Sequence, residues 1–457
     1  MINIHFDASK RDDGTPKTIF HVNGSAPQTH LAEDLIIGPH QAAVDQYNAP
    51  QPGAGDYIGD IGDALWKCIK EHGNADAAFQ PILAPGQSDR VIRVTFHPFT
   101  RGAKDLPWEC LRHANGFFSF DMRVPVVREF TTAAENVPLS IGTGEKLRFL
   151  AVLAAKGASV AGEWRMLEKA IAPIAAQLPV EVLVLSSKKD VRTKAQQMAN
   201  VTVKTGTVSD DSDKLVREVR AFAPHIAHFF CHGDASGTLQ LEPSSAERGD
   251  TGSTYLSTAN LEDALKGTAT LAVLNACSLA DPDGTYTGPA ISGSANLCEE
   301  LVSRGVPVVI GMRNPVDEGD ARKFAETFHA NVLSQVATQY HANGGKLELA
   351  ECFADACRAI LGGSHPTDAL RNPAWTLPVM NRRPEDVTLE RPLTAPSTAD
   401  GDAPLTARLT VEEDHGELEI LRLVLEDHAD FYAGSLDQIK ARIAELEAAQ
   451  PTPDTQL

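Results

Sequence analysis

No stretch of this 457-residue chain is apolar over the ~18–20 residues that a bilayer span requires. The opening MINIHFDASKRDDG lacks the basic-then-apolar pattern of a secretory leader, so a cytoplasmic location is expected. Basic residues are scarce: 41 Lys and Arg stand against 61 Asp and Glu, a net charge of −20. That balance argues against nucleic acid as a direct ligand, because phosphate backbones demand basic patches. It suits a basic partner or substrate. Aromatics make up only 6% of the chain, so the core must rely on Ala, Val, Leu and Ile. The seven cysteines (68, 110, 231, 277, 298, 352, 357) are scattered and odd in number. A disulfide framework would be denser and the chain shorter. Reduced thiols are expected, and one of them can then act as a nucleophile. No internal repeat is present.

What is present is an alternating pattern. Residues 2–6 and 18–22 read as short strands, 46–56 as a Pro/Gly-rich loop, 58–72 as an amphipathic helix and 91–96 as a strand. From 145 onward, strands are expected at 146–155, 180–185, 225–230, 271–274 and 306–312. Helices are expected at 162–178, 212–222, 261–265, 295–303 and 320–335. Strands alternating with helices imply parallel pairing with right-handed crossovers, hence an α/β sheet covered by helices. Residues 1–55 read as a β-rich extension of it, and 56–385 as the main domain. Residues 386–404 contain RPLTAPSTADGDAP and read as a linker, leaving 405–457 as an acidic tail. Residues 386–457 hold 16 Asp and Glu against 5 Lys and Arg, so −11 of the total −20 lies there. Within the tail, 416–426 and 436–446 have helical spacing.

Two strand ends carry reactive residues. One is Ile226-Ala-His-Phe-Phe-Cys-His232-Gly233-Asp234; the other is Leu271-Ala-Val-Leu-Asn-Ala276-Cys277-Ser278. Sites in open α/β sheets form at the carboxyl ends of strands. If these two strands are neighbours, His232 faces Cys277, and a thiol nucleophile needs such a base beside it. The amides of Gly233 and Cys277 then suit the oxyanion of a tetrahedral intermediate. Gly233 leaves room there for a substrate carbonyl. Caspases place their histidine about 50 residues before the cysteine. Here the order is the same and the gap is 45 residues, although the caspase pentapeptide is absent.

Beyond this pair, an ordered series of segments resembles the caspase-like CHAT family of bacterial peptidases. His-Gly after one strand and Ala-Cys after the next are its centre. Asp105-Leu-Pro107-Trp108-Glu109-Cys-Leu111 and Val124-Pro-Val-Val-Arg128 resemble two upstream family segments. Gly305-Val-Pro-Val-Val-Ile-Gly311, the helix start from Asp317 to Phe324, and Pro373-Ala-Trp375 resemble three downstream ones. The series covers roughly residues 50–380 and is more specific than any single motif. The resemblance implies a caspase-like sheet with helices on both faces. It implies a cysteine endopeptidase acting through a Cys277–His232 dyad and a thioester, without metal or cofactor. It also implies limited proteolysis of a partner protein in a prokaryotic defence or cell-death pathway. Where family members carry a Trp after the 306–312 strand, this chain has Arg313-Asn314-Pro315, which bears on the shape of a substrate subsite.

Other readings of the same residues compete. A single buried cysteine is a common core residue. His225, His228, Cys231 and His232 suggest zinc, but alternate strand residues point to opposite faces and cannot converge on one ion. Asp234, Asp281 and Asp283 are either loop acids that cap turns or an acidic pocket for a basic P1 side chain. Residues 242–256 read as a mobile polar loop bordering the cleft. The acidic tail is either a cover for the sheet edge or a docking element for a regulatory protein. The rivals to a peptidase are a catalytically idle scaffold that binds a partner protein and a different thiol acyltransferase.

Overall fold

The structure, a computed structural model, describes residues 1–10, 16–22, 42–44, 47, 57–70, 75–83, 90–96, 106–114, 116–130, 132, 137–142, 144–233, 238–248, 252–277, 293–314, 316–362, 369–370, 372–391 and 440. Contacts divide the chain into two units, 1–132 with 136–393 and 133–135 with 394–457. Of the second unit only Lys440 is described, so the expected tail helices lie outside the described residues.

The first unit contains β1 (Ile2–Lys10), β2 (Pro16–Val22), β3 (Ile92–Phe96), β4 (Arg112–His113), β5 (Gly116–Phe117), β6 (Val126–Phe130), β7 (Leu139–Ser140), β8 (Leu147–Leu153) and β9 (Val180–Ser186). There follow β10 (Thr202–Thr207), β11 (Ile226–Gly233), β12 (Leu239–Leu241), β13 (Thr254–Leu256), β14 (Leu271–Cys277), β15 (Val308–Met312), β16 (Gly344–Lys346), β17 (Pro378–Arg382) and β18 (Thr388–Glu390). The helices are α1 (Tyr57–Lys70), α2 (Ala75–Leu83), α3 (Val160–Ala175), α4 (Lys189–Ala195), α5 (Ser212–Phe222), α6 (Thr258–Leu265), α7 (Gly293–Ser303), α8 (Glu318–His341) and α9 (Leu349–Ile360). None of them is long and apolar enough to cross a membrane.

The main sheet runs β10-β9-β8-β11-β14-β15-β17-β6-β3-β1-β2, with a β12–β13 hairpin added to the far end of β11. From β10 to β15 all neighbours are parallel. At β15–β17 the direction reverses, and β17, β6, β3 and β1 form a second parallel block. β1 and β2 therefore extend the same sheet. The central strands are nearly continuous in Val, Leu, Ile and Phe because both of their faces are covered. α3, α8 and α9 pack together, and α5, α6 and α7 pack one after another. The edge strand β10 (TVKTGT) is polar and largely exposed, which is why its sequence gave no strand signal.

Three expectations change. β11 and β14 run on through His232-Gly233 and Cys277, because β12 pairs with the last residues of β11 and extends the sheet there. Residues 242–256 are not simply a mobile loop. They hold a turn at Ser244–Arg248 and the strand β13, with Glu242, Ser244, Ser245 and Thr254 buried. These groups are hydrogen-bonded to Ser187, to the Val208 and Ser186 backbone, to Asp210 and to the Ser209 carbonyl, which fixes the segment. The expected linker begins later than residue 386, since Asp386 pairs with Arg93 and Lys346, and β18 pairs with β16 and β7.

The motif series has structural reasons. Glu109 and Arg128, from two separate motifs, form a buried bidentate ion pair at 2.7 and 2.8 Å, and Arg128 also donates to the Leu106 carbonyl. Asp317 caps α8 by accepting from the Gly319 amide, and Ala321 and Phe324 turn inward. Trp375 is buried, donates Nε1 to the Ala369 carbonyl and meets Phe117 edge to face.

Candidate active site

β8 leads to β9 and β10 on one side, while β11, β14 and β15 lie on its other side. The chain order therefore reverses between β8 and β11. In open α/β sheets such a reversal opens a crevice at the carboxyl ends of the strands. The carboxyl ends of β11 and β14 carry His232 and Cys277, and these two residues are direct Cα partners across the parallel pair. Neighbouring strands lie about 4.8 Å apart, so the two backbones are adjacent at this row.

The segment joining β8 to α3 holds the imidazole. His232 Nε2 lies 2.6 Å from the Lys156 carbonyl oxygen. A carbonyl only accepts, so Nε2 is the donor in this contact, and in the neutral ring Nδ1 is then the nitrogen with the lone pair. Nδ1 is buried and has no hydrogen-bond partner among the described residues. Gly157, next to Lys156, has φ +77°, a left-handed turn that suits glycine. Two residues on, Ser159 caps α3 by accepting from the Gly162 amide, and its own amide donates to Glu318 of the α8 N-terminus. The carbonyl that orients His232 is thus anchored through the residues that follow it.

Gly233 closes β11. A Cβ there would meet only the Ala276 Cβ at 3.9 Å among the described residues, an ordinary contact. Among the described residues, nothing in the packing demands glycine at this position.

Beneath the pair lies a polar cluster that the sequence reading did not find. Glu163 of α3 is fully buried. Its Oε1 accepts from His228 Nε2 at 2.9 Å and from Asn275 Nδ2 at 2.8 Å. His228 is on β11 and Asn275 is on β14, two residues before Cys277. One carboxylate therefore ties together the two strands that carry the pair. His228 Nδ1 in turn meets His329 Nε2 of α8 at 3.0 Å. Burial, and then the neighbouring His228, hold the His329 pKa well below the ordinary value. His225 is separate: its Nδ1 accepts from the Arg148 amide, and burial with Arg148 lowers its pKa to about 3. His225, His228 and His232 thus have three different surroundings. The signals for the cluster were two polar residues inside apolar strands, His228 and Asn275.

The other six cysteines are buried. Cys231 precedes His232, is buried, and alternates to the opposite face of β11. Burial pushes the Cys298 and Cys352 thiols up to about 12, and raises Cys110 and Cys357 as well. Asp234, Asp281 and Asp283 lie outside the described residues. Arg313 and Asn314 are buried: Arg313 donates to the Leu106 carbonyl and lies 5.8 Å from the Tyr47 ring centre, and Asn314 donates to the Tyr47 carbonyl. They pack against the residue 47 and 106 segments instead of lining an open subsite.

The fold and the strand-end pair together define an α/β protein of the caspase-like class. A family model described as the CHAT domain matches residues 75–385, well over half of the chain. The chain belongs to the CHAT domain family. Solved structures similar to it include the Arg-specific cysteine proteinase gingipain R (10% identity, 76% of this chain and 74% of that one, TM-score 0.39). Another is the complex of the pro- and mature domains of Porphyromonas gingivalis RgpB (10% identity, 77% and 76%, TM-score 0.38). A third is the Saccharomyces cerevisiae separase–securin complex (11% identity, 81% of this chain, TM-score 0.34), of which this chain spans only 21%. No curated protein matches the chain.

Proposed function

We propose that the protein is a cysteine endopeptidase with Cys277 as nucleophile and His232 as acid and base. The observation that carries this is the row pairing of His232 with Cys277, with Lys156 holding Nε2 and leaving Nδ1 as the only basic nitrogen. In this reading Nδ1 takes the thiol proton and the sulfur attacks the substrate carbonyl carbon. The oxyanion is met by the Gly233 and Cys277 amides. The C–N bond then breaks as His232 returns the proton to the leaving amine, and a thioester remains. His232 next deprotonates a water, which attacks the thioester, releasing the acid and restoring the thiol. Cleavage of a fluorogenic peptide library by the wild type, and its absence with Cys277→Ala, is the test. Binding without cleavage by both would favour the idle scaffold; acyl transfer to an amine in place of hydrolysis would favour an acyltransferase.

The resemblance extends the proposal to limited proteolysis of one partner protein in a prokaryotic defence or cell-death pathway, with the acidic tail as a docking element for a regulatory protein. The chemistry of Asp234, Asp281 and Asp283 extends it to a basic P1 residue. A buried carboxylate gains a charge-assisted, bidentate hydrogen bond from Arg. Replacing P1 Arg by Leu or Met in an otherwise identical peptide is expected to lower kcat/KM more than about a hundredfold. Faster cleavage of the Leu or Met peptide would end the acidic-pocket idea.

A further inference from the structure

The row that pairs His232 with Cys277 continues past His232. On β12, Gln240 is the Cα partner of His232, and on β13, Tyr255 is the Cα partner of Gln240. Cys277, His232, Gln240 and Tyr255 thus stand in one line across β14, β11, β12 and β13. Directly opposed residues on neighbouring strands share a face. The alternate residues Leu239, Leu241, Thr254 and Leu256 are buried at 3% exposure or less, so the hairpin is anchored by its other face. Tyr255 is 52% exposed and, with Met1, is one of two exposed large hydrophobic side chains among the described residues. Its phenol is positioned by Gln240, whose Nε2 donates to Ser253 Oγ at 2.8 Å and reaches Tyr255 Oη at 3.4 Å. An exposed tyrosine on a rigid, doubly anchored hairpin loses little rotamer freedom when a ligand covers it.

We infer that Tyr255, positioned by Gln240, forms a subsite for an apolar or aromatic side chain in the leaving half of the substrate. This rests on the peptidase reading. In that reading Cys277 retains the acyl half, while His232 gives its proton to the departing amine. The amine half therefore lies on the His232 side, toward Gln240 and Tyr255. Two strand spacings put Tyr255 about 10 Å from His232. An extended peptide advances about 3.3 Å per residue, so the ring meets the second or third residue after the scissile bond, P2′ or P3′. A phenol ring offers a flat apolar face, which favours Phe, Tyr, Leu or Met at that position.

The test is a cleavage profile of a peptide library randomised from P3 to P3′, read by mass spectrometry for the wild type, Tyr255→Ala and Tyr255→Phe. The wild type should enrich apolar and aromatic residues at P2′ or P3′ by roughly three- to tenfold, the range of an aromatic contact. Tyr255→Ala should lose that enrichment and keep the P1 profile, whereas Tyr255→Phe should retain it. A wild-type profile that is flat beyond the scissile bond, or an enrichment that survives Tyr255→Ala, overturns the subsite and leaves the peptidase reading intact. Absence of cleavage by the wild type overturns the peptidase reading, and the subsite with it.

Discussion

Replacing Cys277 by alanine is expected to lower peptide cleavage by at least about a thousandfold, while Cys231→Ala stays within roughly threefold of the wild type. The two thiols lie near the ends of neighbouring apolar strands. The fold separates them. Cys277 is in the row of His232, whereas Cys231 is one residue out of that row and buried. Removing the nucleophile eliminates the thioester route, leaving only what binding and the oxyanion donors supply. Removing Cys231 costs a small packing contact. Rates from purified variants with matched circular dichroism decide the matter: an inactive Cys231→Ala beside an active Cys277→Ala would reverse the assignment.

The second large effect is on stability. Glu109→Ala is expected to destabilise the protein by roughly 3–5 kcal/mol, because it leaves the Arg128 guanidinium buried without its carboxylate. Both side chains are almost wholly buried, at 4% exposure or less, so solvent screens the pair little. Burial by itself would raise the Glu109 pKa. Arg128, hydrogen-bonded to it, and then Arg313, outweigh that and hold it below the ordinary value of 4.5. A carboxyl depressed in the folded state contributes stability above its unfolded pKa, and that contribution is lost as pH falls through the folded value. The wild type should therefore lose stability below about pH 4.5 more steeply than Glu109→Ala does. Replacing both partners, with Glu109→Leu and Arg128→Met together, should cost less than Glu109→Ala alone. Urea denaturation of the wild type and the two variants at pH 7 and pH 4 measures this; a single variant no less stable than the double would contradict it.

The same residues show where sequence reading stops. His232 and Cys277 were legible because each follows an apolar run, and the period of such runs marks a buried parallel strand. Glu109 and Arg128 were legible as pieces of a motif series, but not as partners. Their 19-residue separation in sequence says nothing about a 2.7 Å contact. Glu163 left no trace, since a glutamate in an amphipathic helix ordinarily faces water. It faces inward here because His228 and Asn275 on two different strands satisfy it.

By itself the sequence determined the alternation of strand and helix, the α/β class, the absence of a long apolar run and the two strand ends that carry the reactive residues. Those properties are local: periodicity, composition and the order of residues along one segment. Only the tertiary structure decided that β11 and β14 are neighbours in the register that pairs His232 with Cys277. It also decided that Lys156 holds the imidazole and that the row runs on to Tyr255. Strand order and register depend on which surfaces bury each other at separations of tens to hundreds of residues, and hydrogen bonds between backbones carry no mark in the side-chain sequence.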